Sequence, residues 1–285
     1  PKKQEKVIQR LATENTNADK EKEISGIRKD NKPSILVVED DGELASYMSR
    51  FLSKSYNVTT TSDGQKATSL LEKHYFDLII SDIMMPTMDG YELCTKLKSN
   101  IHTSHIPIIL LTAKTGLQSR IEGVNSGADA FIEKPFANEF LISTINNLLK
   151  NKIKMIEALK QSPILYSSSL NLSKADEKLF KNIDELLQKN LNNPDFTLDD
   201  FADYLSISRS GLYRKIKGTF GMSPNEFIRV RRLKKAAELL VQDNNIRVNE
   251  VCYLVGFNSP SYFTKCFIKE FNVHPRDYHA SIIQS

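Results

Sequence analysis

The feature that most constrains the fold is an alternation, in the first half of the chain, of short strand-like runs with helical patterns. The runs cover residues 35–38, 58–61, 78–81, 108–111 and 130–132. Helical spacings of apolar residues follow them near residues 44–52, 65–73, 90–98, 117–126 and 137–150. A continuous apolar run such as Ile35-Leu36-Val37-Val38 is typical of a strand that is covered on both faces. Five strand–helix units of this size predict a doubly wound, five-stranded parallel sheet.

Four of the predicted strands end at side chains that suit phosphoryl chemistry. These are Glu39 and Asp40 after the first strand, Asp82 at the third, Thr112 at the fourth and Lys134 at the fifth. The carboxyl ends of parallel strands form the usual ligand crevice of an open α/β sheet. One aspartate at a strand end is most often an ordinary surface acid. Together, these residues indicate a shared site.

An acidic cluster beside a lone aspartate indicates magnesium-assisted phosphorylation. The Asp82 carboxylate is a competent nucleophile toward phosphorus if the negative charges of both groups are neutralised. Glu39 and Asp40 could neutralise them through Mg²⁺, which prefers about six oxygen ligands and keeps several waters. The backbone carbonyl of Met84, two residues past Asp82, could complete the protein ligands.

Two further groups could sense the phosphoryl group once it is attached. Lys134 would bring a positive charge to its oxygens, and Pro135 could adopt the cis peptide that aims this lysine. The Thr112 hydroxyl could move to bond the new phosphate and so give the added charge a mechanical readout. The first half of the chain is therefore interpreted as a phosphorylation-driven switch.

From residue 171 onward the strand patterns end, and the sequence predicts about seven helices. Thr197 would cap a short helix, and the Ser206-Ile207-Ser208 turn separates it from a helix with apolar residues at i, i+4 and i+8. This pair is a helix–turn–helix. The other face of its second helix carries Ser210, Tyr213, Arg214 and Lys217, which suit base edges and phosphates. Gly211 either allows close approach of the helix backbone to DNA or is simply a glycine whose cost in helix stability the fold tolerates.

The same unit recurs near the C-terminus. Ser223 and Pro224 begin a long helix that runs to about Gln242, and Ser259 with Pro260 caps a second recognition-like helix. The outer face of that helix carries Ser261, Thr264, Lys265 and Lys269. Two such units could enter successive major grooves about 34 Å apart, or could bend the duplex to reach both. Helix pairs with this pattern also occur in plain α-bundles.

The charge of the chain is unevenly distributed. Residues 33–150 carry 10 basic and 14 acidic side chains, whereas residues 206–285 carry 13 basic and 6 acidic ones. Only the C-terminal part therefore suits a polyanion. Residues 1–32 are rich in Lys, Glu and Asn and nearly devoid of large apolar groups, which predicts a charged linker rather than a folded unit.

Composition and motif content disfavour several classes of protein. No apolar run approaches the roughly 18 residues of a membrane span. The cysteines Cys94, Cys252 and Cys266 lack metal-ligand spacing and lie in helical patterns, which favours reduced core residues and a cytoplasmic location. The chain begins at Pro1 rather than methionine, which suggests a piece of a longer protein. An enzyme with an external substrate is disfavoured, since no Ser/His/Asp, zinc or nucleotide-loop motif is apparent.

The apolar spacing of the last α/β helix continues past Lys150. Residues Leu148, Ile153, Ile156 and Leu159 keep a period near 3.5 until Pro163. One interpretation is an amphipathic rod that pairs with a second copy as a coiled coil. The alternative is a normal last helix followed by a linker. An insertion of four residues after Lys150 would impair DNA binding only if the rod sets the register.

Four motifs resemble the receiver domain of bacterial two-component response regulators, in order: ILVVEDD, DLIISDIMMPTMDG, IILLTAK and GADAFIEKPF. The resemblance implies a flavodoxin-like fold, Mg²⁺ as cofactor and Asp82 as phospho-acceptor. It also implies Glu39 and Asp40 as metal acids, with Met84 contributing its backbone oxygen, and Thr112 and Lys134 as phosphate-sensing groups. Phe131 would be an aromatic switch, or simply a core residue. Glu39 stands where aspartate is commonest, so ligation through water is expected there.

A second segment, VNEVCYLVGFNSPSYFTKCFIKEFNVHPRDY, resembles the DNA-binding domain of the AraC family. The resemblance covers about residues 180–283. It implies that Ser210, Tyr213 and Arg214, then Ser261, Thr264 and Lys265, contact DNA. Asn272 stands where that family often has glycine, a helix end that asparagine can also form.

The combination resembles the C-terminal part of the hybrid two-component systems of Bacteroidetes, in which a sensor histidine kinase lies upstream in the same polypeptide. The expected domains are a charged linker at residues 1–32, a receiver at 33–150, a linker or helical extension at 151–172 and an AraC-type domain at 173–285. The expected function is phosphorylation-controlled regulation of transcription. A histidine kinase would donate the phosphoryl group, and the phosphorylated chain would form a homodimer that binds promoter DNA. The fragment itself would not be an enzyme; the parent would be an inner-membrane kinase. Alternatives are a phosphotransfer or interaction module without regulated DNA binding, and a constitutive regulator.

Overall fold

A five-stranded parallel sheet forms the first half of the molecule. The computed structural model describes residues 32–113, 125–161, 174–243 and 245–283. The strands are β1 (Ser34–Val38), β2 (Asn57–Thr61), β3 (Leu78–Asp82), β4 (Ile108–Thr112) and β5 (Ala130–Glu133). Their order in the sheet is β2-β1-β3-β4-β5. The predicted fold class is confirmed, and all five strands lie where the sequence predicts them.

Helices cover both faces of this sheet, as its apolar strands require. The helices α1 (Gly42–Leu52), α2 (Gly64–Lys73) and α3 (Gly90–Ser99) follow the first three strands. Residues of β1 alternate between two apolar clusters: Ile35 packs with Met48 and Leu52, and Leu36 packs with Leu71 and Leu93. The helix predicted near residues 117–126 lies largely outside the described residues.

One long helix joins the α/β domain to the rest of the chain. The helix α4 (Asn138–Gln161) runs 24 residues without a break, so the predicted continuation past Lys150 is confirmed. Leu141 and Ile145, near its start, pack in the core of the α/β domain. Leu159, near its end, packs in the core of the helical domain. A single continuous helix therefore contributes to both cores; its pairing with a second copy stays a prediction.

Seven helices follow in the part of the chain described from residue 174 onward, in agreement with the predicted number. They are α5 (Lys174–Asn190), α6 (Leu198–Tyr204), α7 (Arg209–Phe220), α8 (Pro224–Gln242), α9 (Val248–Leu254), α10 (Pro260–Phe271) and α11 (Tyr278–Ile283). Helices α6 and α7 form the first helix–turn–helix unit, and α9 and α10 form the second. Helix α8 joins the two units.

Each unit has its own aromatic core. In the first, the rings of Phe220 and Phe227 lie 4.6 Å apart between centroids. In the second, Phe263 and Phe267 are fully buried, 5.7 Å apart. Such pairs contribute about 0.5–1.5 kcal/mol beyond the area that they bury. The apolar spacings that predicted these helices are the ones that build the two cores.

Among the described residues, no helix combines the length and the apolar character that a membrane span requires. The three cysteines are free thiols, with Cys94 and Cys252 buried and Cys266 half-buried. The structure therefore agrees with their interpretation as packing residues.

Candidate functional site

The carboxyl edge of the sheet brings three acidic side chains together. Glu39 follows β1, with its backbone N–H donating to the Thr61 carbonyl of β2, and Asp82 ends β3. One carboxylate oxygen from each of Glu39, Asp40 and Asp82 lies within 4.8 Å of the other two. Glu39 and Asp82 are buried, and Asp40 is exposed. The predicted acidic crevice is thus formed, open to solvent at Asp40.

Lys134 closes this crevice from β5. Its Nζ lies 2.9 Å from Glu39 Oε2 and 3.0 Å from Asp82 Oδ1. The peptide bond between Lys134 and Pro135 is cis. The Lys134 backbone N–H donates to the Thr112 carbonyl over 2.7 Å, which fixes the end of β5 against the end of β4. One ammonium group therefore bridges the acids of two different strands.

The electrostatics of the crevice follow from burial and from this bridge. Burial raises the pKa of Glu39 and the neighbouring Asp82 raises it further, while the hydrogen bond from Lys134 opposes both. Burial alone would lower the pKa of Lys134, but its hydrogen bonds to Glu39 and Asp82 outweigh burial and the pKa is raised. Lys134 bridges only two of the three carboxylates, so the crevice keeps an excess of negative charge.

The outer faces of α7 and α10 carry the residues that the sequence proposed for DNA. On α7, Ser210 and Lys217 are exposed, and Tyr213 and Arg214 are half-buried. On α10, Thr264 is half-buried, and Ser261, Lys265 and Lys269 are exposed. Both helices begin at a serine cap and end at a left-handed residue. The two units thus share one local design.

Comparison with known proteins decides what these two parts are. Residues 35–146 match the family of response regulator receiver domains, and residues 201–281 match a helix-turn-helix domain family. The chain carries a receiver domain and an AraC-type helix-turn-helix domain.

The chain is similar to curated proteins over most or about half of its length. Histidine kinase P4 of Formosa agariphila is 39% identical over 88% of this chain and 18% of its own length. The DNA-binding dual master transcriptional regulator RpaA of Synechocystis is 35% identical over 49% of this chain and 58% of its own. The chain therefore spans less than two thirds of either relative. A solved signal receiver domain of a signal transduction histidine kinase from Syntrophus aciditrophicus is 37% identical, covering 42% of this chain and 91% of that one, with a TM-score of 0.41.

The residues of the receiver crevice fit a magnesium ion. Receiver domains generally use Mg²⁺, and carboxylate oxygens are the ligands that it prefers. Glu39, Asp40 and Asp82 present such oxygens at one point, with more negative charge than Lys134 alone neutralises. Met84, the remaining predicted ligand, lies in the turn after β3 and is 59% exposed. Only its backbone oxygen was assigned to the metal.

Thr112 and Phe131 occupy different depths in the receiver. Thr112 ends β4 at the crevice edge and is 6% exposed. Phe131 lies on β5 opposite Leu110 of β4, half-buried, and packs against the cluster that contains Leu93 and Leu97. Thr112 is thus at the site, whereas Phe131 lies below it.

Gly90 is a residue of this site that the sequence reasoning missed. A Cβ at Gly90 would lie 2.3 Å from the Asp82 carbonyl oxygen and 2.8 Å from Ile83 Cα. The Gly90 N–H donates to the Ile83 carbonyl over 2.9 Å. The available signal was Asp89-Gly90-Tyr91-Glu92, in which Asp89 and Glu92 form the capping box that starts α3. Helix α3 therefore begins in direct contact with the backbone of Asp82.

Proposed function

We propose that this chain is a phosphorylation-controlled, sequence-specific DNA-binding regulator of transcription, with Asp82 as the phospho-acceptor. The observation that carries the proposal is the bridge of Lys134 across Glu39 and Asp82, in an acidic crevice that shares one chain with two helix–turn–helix units. A receiver beside a DNA-binding domain supports a regulator rather than a kinase for this part of the chain.

Phosphoryl transfer would start from a histidine kinase phosphodonor. The Asp82 carboxylate attacks phosphorus, the P–N bond of the phosphohistidine breaks, and the imidazole nitrogen leaves with the bonding pair and takes up a proton. Lys134, already 3.0 Å from Asp82 Oδ1, neutralises charge that develops on the phosphoryl oxygens. Mg²⁺, held by Glu39, Asp40, Asp82 and the Met84 carbonyl, would supply further charge neutralisation.

The new phosphate would be read at the ends of β4 and β5. The Thr112 hydroxyl shifts to donate to a phosphoryl oxygen, and Lys134 exchanges its contact with Glu39 for one with the phosphate. Phe131 turns inward into the space that Thr112 leaves. The resulting change in the receiver surface favours a homodimer, which places paired DNA-binding domains on neighbouring half-sites of a promoter.

The DNA contacts follow the exposed faces of the two recognition helices. Ser210, Tyr213, Arg214 and Lys217 on α7, and Ser261, Thr264, Lys265 and Lys269 on α10, would meet phosphates and base edges in the major groove. The similarity to Histidine kinase P4 favours a parent protein in which a kinase supplies the phosphoryl group within the same polypeptide.

The direct test is phosphate incorporation from a radiolabelled small-molecule donor in the presence of Mg²⁺. Asp82→Asn should abolish labelling, since an amide cannot replace the carboxylate nucleophile. Glu139→Gln, the same chemical change at an exposed position of α4, should label as the wild type does. Equal labelling of Asp82→Asn would rule out the assigned site.

Dimerisation has its own measurement. Light scattering of the chain with Mg²⁺, with and without beryllofluoride as a mimic of the phosphoryl group, should show monomers becoming dimers. The shift should be absent in Asp82→Asn. A mass that stays fixed in the wild type would remove dimerisation from the proposal and leave regulation within one chain.

A further inference from the structure

Helix α7 lies against the receiver domain along a single face. That face carries Gly211, Arg214, Lys215 and Gly218, at the i, i+3, i+4 and i+7 positions of one helical stripe. Each of these residues meets a receiver residue, in the turn that ends α2 or in the loop between α3 and β4. One of them, Arg214, also belongs to the face proposed for DNA.

Lys215 is the buried centre of this contact. Its side chain is shielded from solvent, and its ammonium donates to Ser104 Oγ of the receiver loop over 2.8 Å. It also pairs with Asp176 of α5, which accepts a hydrogen bond of 2.9 Å from Ser104. Burying an unpaired charge would cost several kcal/mol. The receiver hydroxyl therefore helps to stabilise a lysine that belongs to the recognition helix.

Arg214 is held by the carboxyl end of a receiver helix. Its Nη1 donates to the Leu71 carbonyl over 3.2 Å and also to the Glu72 carbonyl, both in the last turn of α2. Carbonyls in a last helical turn lack partners within the helix, and a cation there is favoured by the helix dipole. In this position Nη1 is engaged by the receiver, and the guanidinium is held against α2.

Two glycines of α7 allow the close approach. A Cβ at Gly211 would lie 2.8 Å from His102 Cε1, and one at Gly218 would lie 2.0 Å from His105 Nε2. Any larger residue would displace these rings. The sequence left open whether Gly211 permits approach to DNA; in this structure the group that approaches is a receiver histidine.

The receiver loop is connected to the phosphorylation crevice on both sides. Helix α3, which precedes the loop, starts at Gly90 against the backbone of Asp82. Strand β4, which follows the loop, ends at Thr112 in the crevice. A displacement at Asp82 or Thr112 can therefore reach the loop through one helix or one strand.

We propose that the receiver surface formed by residues 71–72 and 102–105, the receiver clamp, binds α7 and withholds it from DNA until Asp82 is phosphorylated. The clamp rests on the proposed function, since it needs both Asp82 chemistry and DNA binding. Its occupant is the recognition helix of the same chain. Release of α7 frees Arg214, which then joins Ser210, Tyr213 and Lys217 on the face proposed for DNA.

The test is the affinity of the full chain for a nonspecific fluorescent duplex of roughly 30 base pairs, long enough for two adjacent major grooves. Ser104→Arg places a second cation against the buried Lys215 and should open the clamp. Ser46→Arg adds the same side chain at an exposed position of α1, far from α7 in sequence and on another receiver helix. Binding of beryllofluoride and Mg²⁺ by both variants verifies that the receiver is folded.

The clamp predicts that, without beryllofluoride, Ser104→Arg binds the duplex about tenfold more tightly than the wild type does. The reason is that the state with α7 released, which binds DNA, is a minor population in the resting wild type and the major one in this variant. Wild type and Ser46→Arg should reach that affinity only with beryllofluoride. If beryllofluoride strengthens wild-type binding but Ser104→Arg without it binds like resting wild type, the clamp is wrong and the proposed function stands. If no protein binds the duplex in either state, the proposed function fails and the clamp with it.

A second readout does not involve DNA. Acylation of lysine amines, mapped by peptide mass, compares Lys215 with Lys217, which is exposed two residues further along the same helix. Lys217 should react equally in all variants. Lys215 should react slowly in the wild type and in Ser46→Arg, and faster in Ser104→Arg or with beryllofluoride. A Lys215 that reacts as fast as Lys217 in the resting wild type would overturn the clamp.

Discussion

The two recognition helices α7 and α10 are built alike but lie in different surroundings. Each follows a serine cap whose side-chain oxygen accepts the backbone N–H of the third helical residue. Each ends in a left-handed residue, Gly221 (φ 69°) or Asn272 (φ 57°). Yet one face of α7 is packed against the receiver, which engages Arg214, whereas α10 leaves Tyr262 50% exposed and Ser261, Lys265 and Lys269 open to solvent. Local sequence therefore sets the shape of a recognition helix, and tertiary contact sets whether it is free to bind.

The same contrast limits what net charge can predict. The basic excess of residues 206–285 counts Lys215, which is buried, and Arg231, which pairs with Asp184 over 2.9 Å. It also counts Arg232, whose Nη2 donates to the Asn193 carbonyl over 2.6 Å. These cations stabilise the fold. The charge that remains for DNA is smaller than the sequence suggests.

The largest expected effect is a difference in the free energy of unfolding between alanine variants of Gly256, in the second unit, and Gly218, in the first. Gly256 has φ +77°, and a Cβ there would lie 2.4 Å from the Leu191 carbonyl oxygen, so Gly256→Ala should lower the free energy of unfolding by about 2 kcal/mol or more. Gly218 lies inside α7, where alanine is favoured by about 1 kcal/mol over glycine. Gly218→Ala should therefore displace His105 and open the clamp, but it should lower the free energy of unfolding by less than Gly256→Ala does. Denaturant unfolding of both variants checks the difference; equal losses would contradict it.

The next effect concerns which helix binds DNA in the resting state. Lys265→Ala on α10 should weaken resting binding to a nonspecific duplex and lower the salt slope by about 1, as expected for one phosphate contact. Arg214→Ala on α7 should not weaken resting binding, because its guanidinium already donates to Leu71 and Glu72. With beryllofluoride, both variants should bind more weakly than the wild type. Titrations at several salt concentrations measure this.

An equal resting loss in Arg214→Ala and Lys265→Ala would mean that α7 is as free as α10. Lys269→Ala, at another exposed position of α10, serves as a control for the size of a single-charge effect.

A smaller effect should come from acidification, and it should act on α7 alone. Burial holds the pKa of His105 well below its usual range, and Lys215 of α7, Lys152 of α4, and Lys98 and His102 of the receiver add to this. The released state should bind a proton on His105 near the ordinary value of about 6.5, and the docked state should not. Lowering the pH below about 6.5 therefore favours release, and raising it favours docking.

Ring NMR of the histidines tests this linkage. In the wild type His105 should remain neutral well below the ordinary imidazole pKa of about 6.5. In Ser104→Arg, whose clamp is open, the His105 midpoint should rise toward the ordinary value. A wild-type His105 that titrates with an ordinary midpoint would show that its ring is not enclosed.

The smallest effect should come from the helix ends. Asn272→Gly should stabilise the second unit by a few tenths of a kcal/mol, because glycine adopts the left-handed conformation without a Cβ penalty. Gly221→Asn should cost a similar amount in the first unit. Thermal unfolding of the two variants should show shifts of opposite sign, and shifts of the same sign would contradict a purely local role.

Much of the fold could be predicted because local patterns carry it. The apolar run 35–38, the Ser223-Pro224 start of α8 and the left-handed end at Asn272 each follow from a few adjacent residues. The acidic crevice was also predictable, since parallel strands place their carboxyl ends on one edge of the sheet. The contact of Gly90 with Asp82 was not, because it depends on how α3 meets β3.

The clamp could not be predicted from the sequence either. Ser104, Asp176 and Lys215 are far apart along the chain, and each one alone matches an ordinary surface residue. Gly211 was open to a DNA role because nothing near it in sequence indicates His102. Contacts between the two domains depend on how α4 positions one domain against the other. The sequence of α4 shows only that it is helical, and does not show how the two domains are oriented.

The central claim, that phosphorylation of Asp82 controls DNA binding, is tested most directly by the duplex affinity of wild type and Asp82→Asn, measured at one salt concentration with and without beryllofluoride and Mg²⁺. The account predicts that beryllofluoride tightens binding by the wild type and leaves Asp82→Asn at the resting affinity. Equal affinities for the two proteins in both conditions would contradict it and indicate a constitutive DNA-binding protein.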